Sequence, residues 1–373
     1  MASASSWSWC RRSSSARTSP RRDRSAVDST MSVNRIAPVL TVAVMAGDTS
    51  PTKVTPSDQR YGARMPAPHI DPDRFAVHHA SPKGFRQAFV REGVGGVPLL
   101  CVHGWPETKR VFWKVIEPLA AAGFEVIVPD LRGFGDSDLG PDGFHDVAAH
   151  ARDLYALVHD HLGHERVVLL GGDLGGPVIQ QLALWYPDWV DRMVLFNSPL
   201  PYLKDEMAGI EGTRPPREAA DYFLRQGTDP DGLASELRTP EERRRYIATF
   251  YTSRFWAHPG AFGGPGEVEF HTEPFADADH LRASFGGYES SFSEAARSEP
   301  ARLEANPRTR TLILFGPSDH VLYPAFDRMA AVVFPNHVGP YLLRDCGHFV
   351  PWEAPHALAS GTVAFCGDLL AGV

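Results

Sequence analysis

From Phe75 onward, short apolar, β-branched runs alternate with longer stretches in which apolar residues recur every three or four positions. "FAVHHA" and "RQAFVREG" read as an opening hairpin. "VPLLCVHG", "EVIVPDL", "RVVLLGGD", "DRMVLFNSP", "TRTLILFGPSD" and "PYLLRDCGH" read as six further strands. Their apolar character is continuous instead of alternating, as it is in strands covered on both faces of a parallel sheet. Helices are expected at "ETKRVFWKVIEPLAAAG", "DVAAHARDLYALVHDHLG", "GPVIQQLALWYP" and "FDRMAAVVFP", each closed by Gly or Pro. The alternation predicts an α/β fold with a mostly parallel eight-stranded sheet and helices on both faces.

One interval breaks the pattern. Between "FNSP" and "TRTLILFG" about 110 residues hold no clear strand, and a structureless loop of that size does not fit a compact domain. In "EERRRYIATFYTSRFW", Tyr246, Phe250 and Tyr251 recur at helical spacing. The interval is therefore expected to be a helical lid, inserted after the sixth strand and lying over the carboxyl edge of the sheet, where open α/β sheets bind ligands. The organisation that follows is an N-terminal extension (1–44), a first part of the core (45–198), the lid (199–305) and a second part of the core (306–373).

Composition narrows the function. A chain of 373 residues, 43% hydrophobic and 22% charged, has enough apolar surface for one large core and is expected to be soluble. Its net charge of −8 argues against a nucleic acid or an anionic membrane as partner and leaves a small neutral substrate, with a homodimer as an allowed assembly. The first thirty residues hold ten Ser, six Arg and two Asp, so the remainder carries −12. Such a segment is expected to be a solvated, disordered tail, or an extension ahead of a start at Met31 or Met45. "APVLTVAVMAG" is too short to span a bilayer. The four cysteines (Cys10, Cys101, Cys346, Cys366) form neither a disulfide framework nor a CxxC clip. Nor do His78, His79, His159, His161 and His164 have ligand spacing, so no metal or cofactor is expected, and the expected location is cytoplasmic.

The chemistry concentrates at "LLGGDLGGPVIQ". A strand, a glycine-rich turn and a helix place Asp173 at the crest of a sharp bend, the position of the nucleophile in a G-x-Nuc-x-G elbow. By itself an Asp at a strand-to-helix turn is also a common helix N-cap. A carboxylate at the crest is poorly suited to cleaving an ester but can displace a leaving group at saturated carbon, forming an ester on the enzyme. Releasing that ester requires a base and an oxyanion hole. "FGPSDHVLYP" puts Asp319 past one strand end and "LRDCGHFVPWE" puts His348 past the last, 29 residues later. Nucleophile, acid and histidine thus follow in elbow order. "HGWP" follows a buried strand, so the Trp105 N–H and the Leu174 N–H are the candidate oxyanion donors. His103 is read as support for that loop.

Together "HGWP", "DLRGFGDSD", "GGDLGG", "GPSDHVLYP" and "CGHFVPWEAP", spread over residues 97–356, resemble the α/β-hydrolase superfamily, in its branch with an aspartate nucleophile: epoxide hydrolases and haloalkane dehalogenases. The resemblance implies that two lid tyrosines protonate an epoxide oxygen. Tyr288 lies 31 residues before Asp319 and Tyr222 lies 49 after Asp173, and both spacings match those of epoxide hydrolases. Tyr251, Tyr246 and Tyr202 stay open for the first role, and Trp105 and Tyr251 are candidate substrate contacts. Dehalogenases of this branch commonly carry Trp directly after the nucleophile, and fluoroacetate-type enzymes carry arginines one and four places after it. Leu174 and Pro177 depart from both patterns. Leu174 also departs from most epoxide hydrolases, which bears on pocket shape and substrate range. The resemblance implies a cofactor-independent epoxide hydrolase consuming a neutral epoxide and water, with a dehalogenase or a non-catalytic ligand-binding receptor as the other readings.

Overall fold

The sequence predicts eight strands, and the computed structural model, which describes residues 70–213 and 217–372, contains eight. β1 (Val77–Ala80) and β2 (Gln87–Glu92) form the antiparallel hairpin. They are followed by β3 (Val97–Val102), β4 (Phe124–Pro129), β5 (Val167–Gly171), β6 (Val190–Phe196), β7 (Arg310–Phe315) and β8 (His337–Leu342). The sheet order is β1-β2-β4-β3-β5-β6-β7-β8. β2 pairs antiparallel with β4, and every pairing from β4 to β8 is parallel. All of β4 and β5 is buried, in line with their uninterrupted apolar runs. The N-terminal extension expected over 1–44 lies outside the described residues.

The core helices are α1 (Ile116–Ala121), α2 (Val147–Tyr155), which continues as a π-helical turn over Ala156–His161, and α3 (Gly175–Trp185). Between β6 and β7 lie α4 (Arg217–Thr228), α5 (Pro230–Glu236), α6 (Pro240–Tyr251), α7 (Glu267–Thr272), α8 (Ala278–Ser284) and α9 (Gly286–Phe292). The chain then forms α10 (Phe326–Val333), α11 (Val350–Glu353), α12 (Pro355–Phe365) and α13 (Gly367–Leu370). α6 starts as its sequence dictates: Thr239 and Glu242 close a capping box, with Pro240 in the first turn.

Two expected elements differ from the sequence reading, and α11, α12 and α13 are not part of it. The single helix expected over 107–123 is a short 3-10 turn at Lys109–Phe112 followed by α1. Pro118 explains the break, because a continuous helix would set its ring against the Lys114 carbonyl, whereas restarting at Ile116 puts it in a first turn. β8 begins at His337, three residues before the expected start, and includes Pro340. A proline is tolerated there because β8 is an edge strand.

Beneath the first loop a buried ion pair fixes the chain. Asp130 is fully buried; its Oδ1 accepts the Lys109 N–H (2.8 Å), and its Oδ2 accepts Lys109 Nζ (2.6 Å) and the Asp136 N–H (2.8 Å). Burial of Lys109 opposes its charged form most strongly, but Asp130 and Asp136 together outweigh it and raise the ammonium's pKa. Lys109→Met would leave Asp130 buried without its cation. The expected loss is about 3–5 kcal/mol of stability, read by urea unfolding, and a loss near zero would contradict this account.

Candidate active site

Because β3, β5, β6, β7 and β8 run parallel, their carboxyl ends bring five loops to one edge of the sheet. These loops carry Trp105, Asp173, Asn197, Asp319 and His348. Asp173 sits between β5 and α3 with φ of 42°, a left-handed conformation that is strained for a residue bearing a side chain. Its N–H donates to the Asn197 carbonyl (2.7 Å), and its own carbonyl accepts from the Gly176 N–H (3.0 Å). The surrounding glycines are steric requirements: a β-carbon on Gly172 would strike Phe196, one on Gly175 the Val102 carbonyl, and one on Gly104 the Asp173 side chain.

Asp173 is buried, 4% exposed. Its Oδ1 accepts the Trp105 N–H at 2.6 Å, and its Oδ2 lies 3.2 Å from His348 Nε2. The latter is an ion-pair distance, but the ring N–H is poorly aligned for a hydrogen bond, which leaves Nε2 without a well-formed partner. Leu174, at the N-cap of α3, packs its side chain toward Gly287 of α9.

His348 is 1% exposed, and its Nδ1–H donates to Asp319 Oδ2 at 2.8 Å. Asp319 is held in turn: Oδ1 accepts the Val321 N–H (2.8 Å) and the Leu322 N–H (3.3 Å), and Oδ2 also accepts Asn197 Nδ2 (3.0 Å). Burial is the largest influence on His348 and disfavours its cation. The Asp319 charge and hydrogen bond, together with the Asp173 carboxylate at ion-pair distance, overcome it, so the imidazole's pKa stands well above its ordinary value. His103 takes the supporting role read for it: Nδ1–H donates to the Gly104 carbonyl (2.9 Å), and Nε2 accepts the Leu131 N–H (3.0 Å).

The helices between β6 and β7 bring Tyr222 (α4) and Tyr288 (α9) together, rings 5.6 Å apart and edge to face. Tyr222 stacks on Trp105 at 5.6 Å, Tyr288 meets the same indole edge-on at 5.5 Å, and Phe250 and Trp256 complete an aromatic cluster. Burial first, and then neighbouring charge including that of Asp173, holds both phenols well above their ordinary pKa. The Tyr288 hydroxyl is buried and makes no well-formed hydrogen bond, although the Tyr222 hydroxyl is near enough to influence its ionisation. Tyr246 adjoins the cluster, its hydroxyl accepting Gln226 Nε2 at 2.8 Å. Tyr251 is set apart: its hydroxyl donates to the Pro106 carbonyl, and its ring stacks on His271 and Phe349. Trp105 is fully buried, with its indole N–H donating to Ser284 Oγ at 3.1 Å.

Several residues around the site escaped the sequence reading. Asn197, with φ of 27°, bonds the carbonyls of Gly316 and Gly347 as well as Asp319. Its only sequence signal is an Asn at a strand's carboxyl end. Glu107 accepts the Gly104 N–H (2.6 Å), and its pKa is pushed up to about 7, mainly by burial and then by the Asp173 charge. Glu353 accepts backbone N–H groups on both sides of His348. Among the described residues no cluster of His, Cys, Asp and Glu could hold a metal ion, and no helix is long and apolar enough to cross a membrane.

The chain is similar in sequence and fold to known proteins. The family model described as "alpha/beta hydrolase fold" matches residues 97–355. The soluble epoxide hydrolase of Corynebacterium sp. (strain C12) is 27% identical over 294 residues, which cover 78% of this chain and 97% of that protein. Haloalkane dehalogenase 2 of Mycobacterium bovis is 30% identical over 281 residues, 74% of this chain and 89% of that protein. The solved structure of the epoxide hydrolase CorEH superposes with a TM-score of 0.67 at 25% identity, covering 79% of this chain and 99% of that one. A model spanning most of the chain, together with relatives matched over nearly their full length, establishes that this protein is a hydrolase belonging to the α/β-hydrolase family.

Proposed function

We propose that the protein is an epoxide hydrolase that opens a small neutral epoxide to a vicinal diol through an ester on Asp173. The observation that carries this reading is the pairing of two unlike environments. A buried carboxylate on a strained turn, with His348 Nε2 at 3.2 Å, lies within electrostatic reach of two neighbouring tyrosine hydroxyls, that of Tyr288 buried without a well-formed hydrogen bond. In the first half-reaction Asp173 attacks a ring carbon, the C–O bond breaks, and Tyr288 and Tyr222 supply the proton that the oxygen gains. Attack removes the Asp173 charge that helped to hold the proton on His348. The proton His348 then sheds balances the one the tyrosines gave. In the second half-reaction neutral His348, oriented by Asp319, takes a proton from water, and the hydroxide adds to the Asp173 carbonyl carbon. The N–H groups of Trp105 and Leu174 are the donors to the resulting oxyanion. Collapse releases the diol, which takes up the remaining proton.

The dehalogenase reading draws support from the 30% identical relative named haloalkane dehalogenase 2. Against it, the Trp105 indole N–H is already engaged by Ser284, and Leu174 offers no side-chain donor for a halide. Halide release from simple haloalkanes, measured beside diol formation from epoxides, separates the two.

Three outcomes follow. In heavy-oxygen water the first turnover yields diol carrying light oxygen from Asp173, and His348→Gln accumulates an adduct visible in the intact mass; solvent oxygen in the first-turnover diol would refute the covalent step. Tyr288→Phe slows ring opening by about 10- to 1000-fold, the worth of one oriented donor in a dry site; an unaltered single-turnover rate would transfer the role to another tyrosine of the cluster, Tyr222 or Tyr246. The rate of ester hydrolysis rises with pH, because only neutral His348 is a base. Its midpoint lies below the His348 pKa of the free enzyme measured by NMR, since the ester has lost the Asp173 charge that raises that pKa. The reverse order would be inconsistent with the assignment.

A further inference from the structure

Hydrolysis of an ester on Asp173 depends on where His348 Nε2 points, yet His348 follows β8, an edge strand that is at best half-buried and a poor anchor. The loop is held from elsewhere. Three consecutive backbone N–H groups are engaged: Gly347 donates to Glu353 Oε2 (2.7 Å), His348 to the Trp256 carbonyl (2.7 Å) and Phe349 to Glu353 Oε1 (2.9 Å). Glu353 Oε2 accepts a third N–H, that of His258 (2.8 Å), from the same lid segment as Trp256. That segment also reaches the acid loop, because the His320 N–H donates to the Phe255 carbonyl (2.8 Å) and His258 Nδ1 lies 3.1 Å from Ser318 Oγ. Ser318 and His320 flank Asp319. One carboxylate therefore ties the base loop to the lid strap that braces the acid loop, and the Trp256 ring packs edge-on against the imidazole at 4.5 Å.

We infer that Glu353 is a positioning residue for the hydrolytic half-reaction, setting the His348 ring through the amides on either side of it and locking the lid segment Phe255–His258 to the triad loops. The inference rests on the Asp173-ester reading. Both carboxylate oxygens accept N–H groups, so a glutamine cannot substitute: its amide offers one acceptor oxygen and turns an NH2 toward a donor. Ring opening does not call on His348 as a base, so misplacing its ring affects one half-reaction and spares the other. Generalised damage to the fold would slow both.

The test is rapid-quench kinetics of the full chain with styrene oxide, with the Asp173 adduct followed by intact mass. In Glu353→Gln, adduct formation stays within about threefold of the parent while hydrolysis slows about 10- to 100-fold, the effect of a misaimed base, and the adduct accumulates. Glu353→Asp, which keeps the charge but loses reach, gives the same split in smaller measure and serves if the glutamine variant does not fold. The low-field proton resonance of the His348 Nδ1–H shifts or broadens in both variants. Unchanged hydrolysis, or equal slowing of both half-reactions, would overturn the role of Glu353 while leaving the ester mechanism intact. If His348→Gln forms no adduct with styrene oxide or with 1-chlorobutane, the ester reading fails, and this inference fails with it.

Discussion

One imidazole lies between two buried carboxylates, and the two are satisfied very differently. Asp319 accepts from Val321, Leu322, Asn197 and His348, so both of its oxygens are occupied by donors. Asp173 has the Trp105 N–H on one oxygen and a misaligned imidazole near the other. A saturated carboxylate is a poor nucleophile because its lone pairs are committed, whereas an under-satisfied one in a dry site retains basicity toward an approaching carbon. This difference in hydrogen-bond inventory is what the proposed division of labour, Asp173 as nucleophile and Asp319 as orienting acid, would draw on, with the same chemical group in both roles.

The fold exists to keep that asymmetry. Asp173 and Asn197 both hold left-handed backbone conformations, and the N–H of the first donates to the carbonyl of the second. Two strained residues at the ends of adjacent parallel strands brace each other, and Asn197 passes the constraint on to Gly316 and Gly347, next to the acid and the base. Strain of this kind persists only where the surroundings over-determine it. Here the glycines that bring Val102, Phe196 and Gly104 into contact with the turn do so.

This also explains what the sequence could disclose. The central sheet was legible because strands buried on both faces are continuously apolar; Asp173 and Asp319 were legible as candidates because each follows such a strand, and His348 because it follows the last, edge strand in elbow order. The split at Pro118 and the early start of β8 were missed because periodicity blurs at element ends. Tyr222 and Tyr288 were reached through spacing in a resemblance, since nothing local distinguishes them from Tyr251, whose hydroxyl goes to Pro106 instead. Asn197 and Glu353 were invisible for a deeper reason. Their partners are backbone amides and carbonyls, identical at every position, so neither composition nor pattern signals the contact.

The tyrosines present an apparent contradiction that the site itself resolves. Burial and the Asp173 charge raise both phenols well above their ordinary pKa, which makes them reluctant proton donors. In the proposed reaction, however, the Asp173 charge is consumed as the ring opens and appears on the epoxide oxygen. Burial still opposes ionisation, but the part of the suppression that comes from Asp173 fades in the same motion that creates a strong base beside the hydroxyls. The same loss weakens the hold on the His348 proton. Neutralising one carboxylate therefore shifts the acidity of the donors and the basicity of the histidine, each in the direction the next step requires, without any side chain having to move.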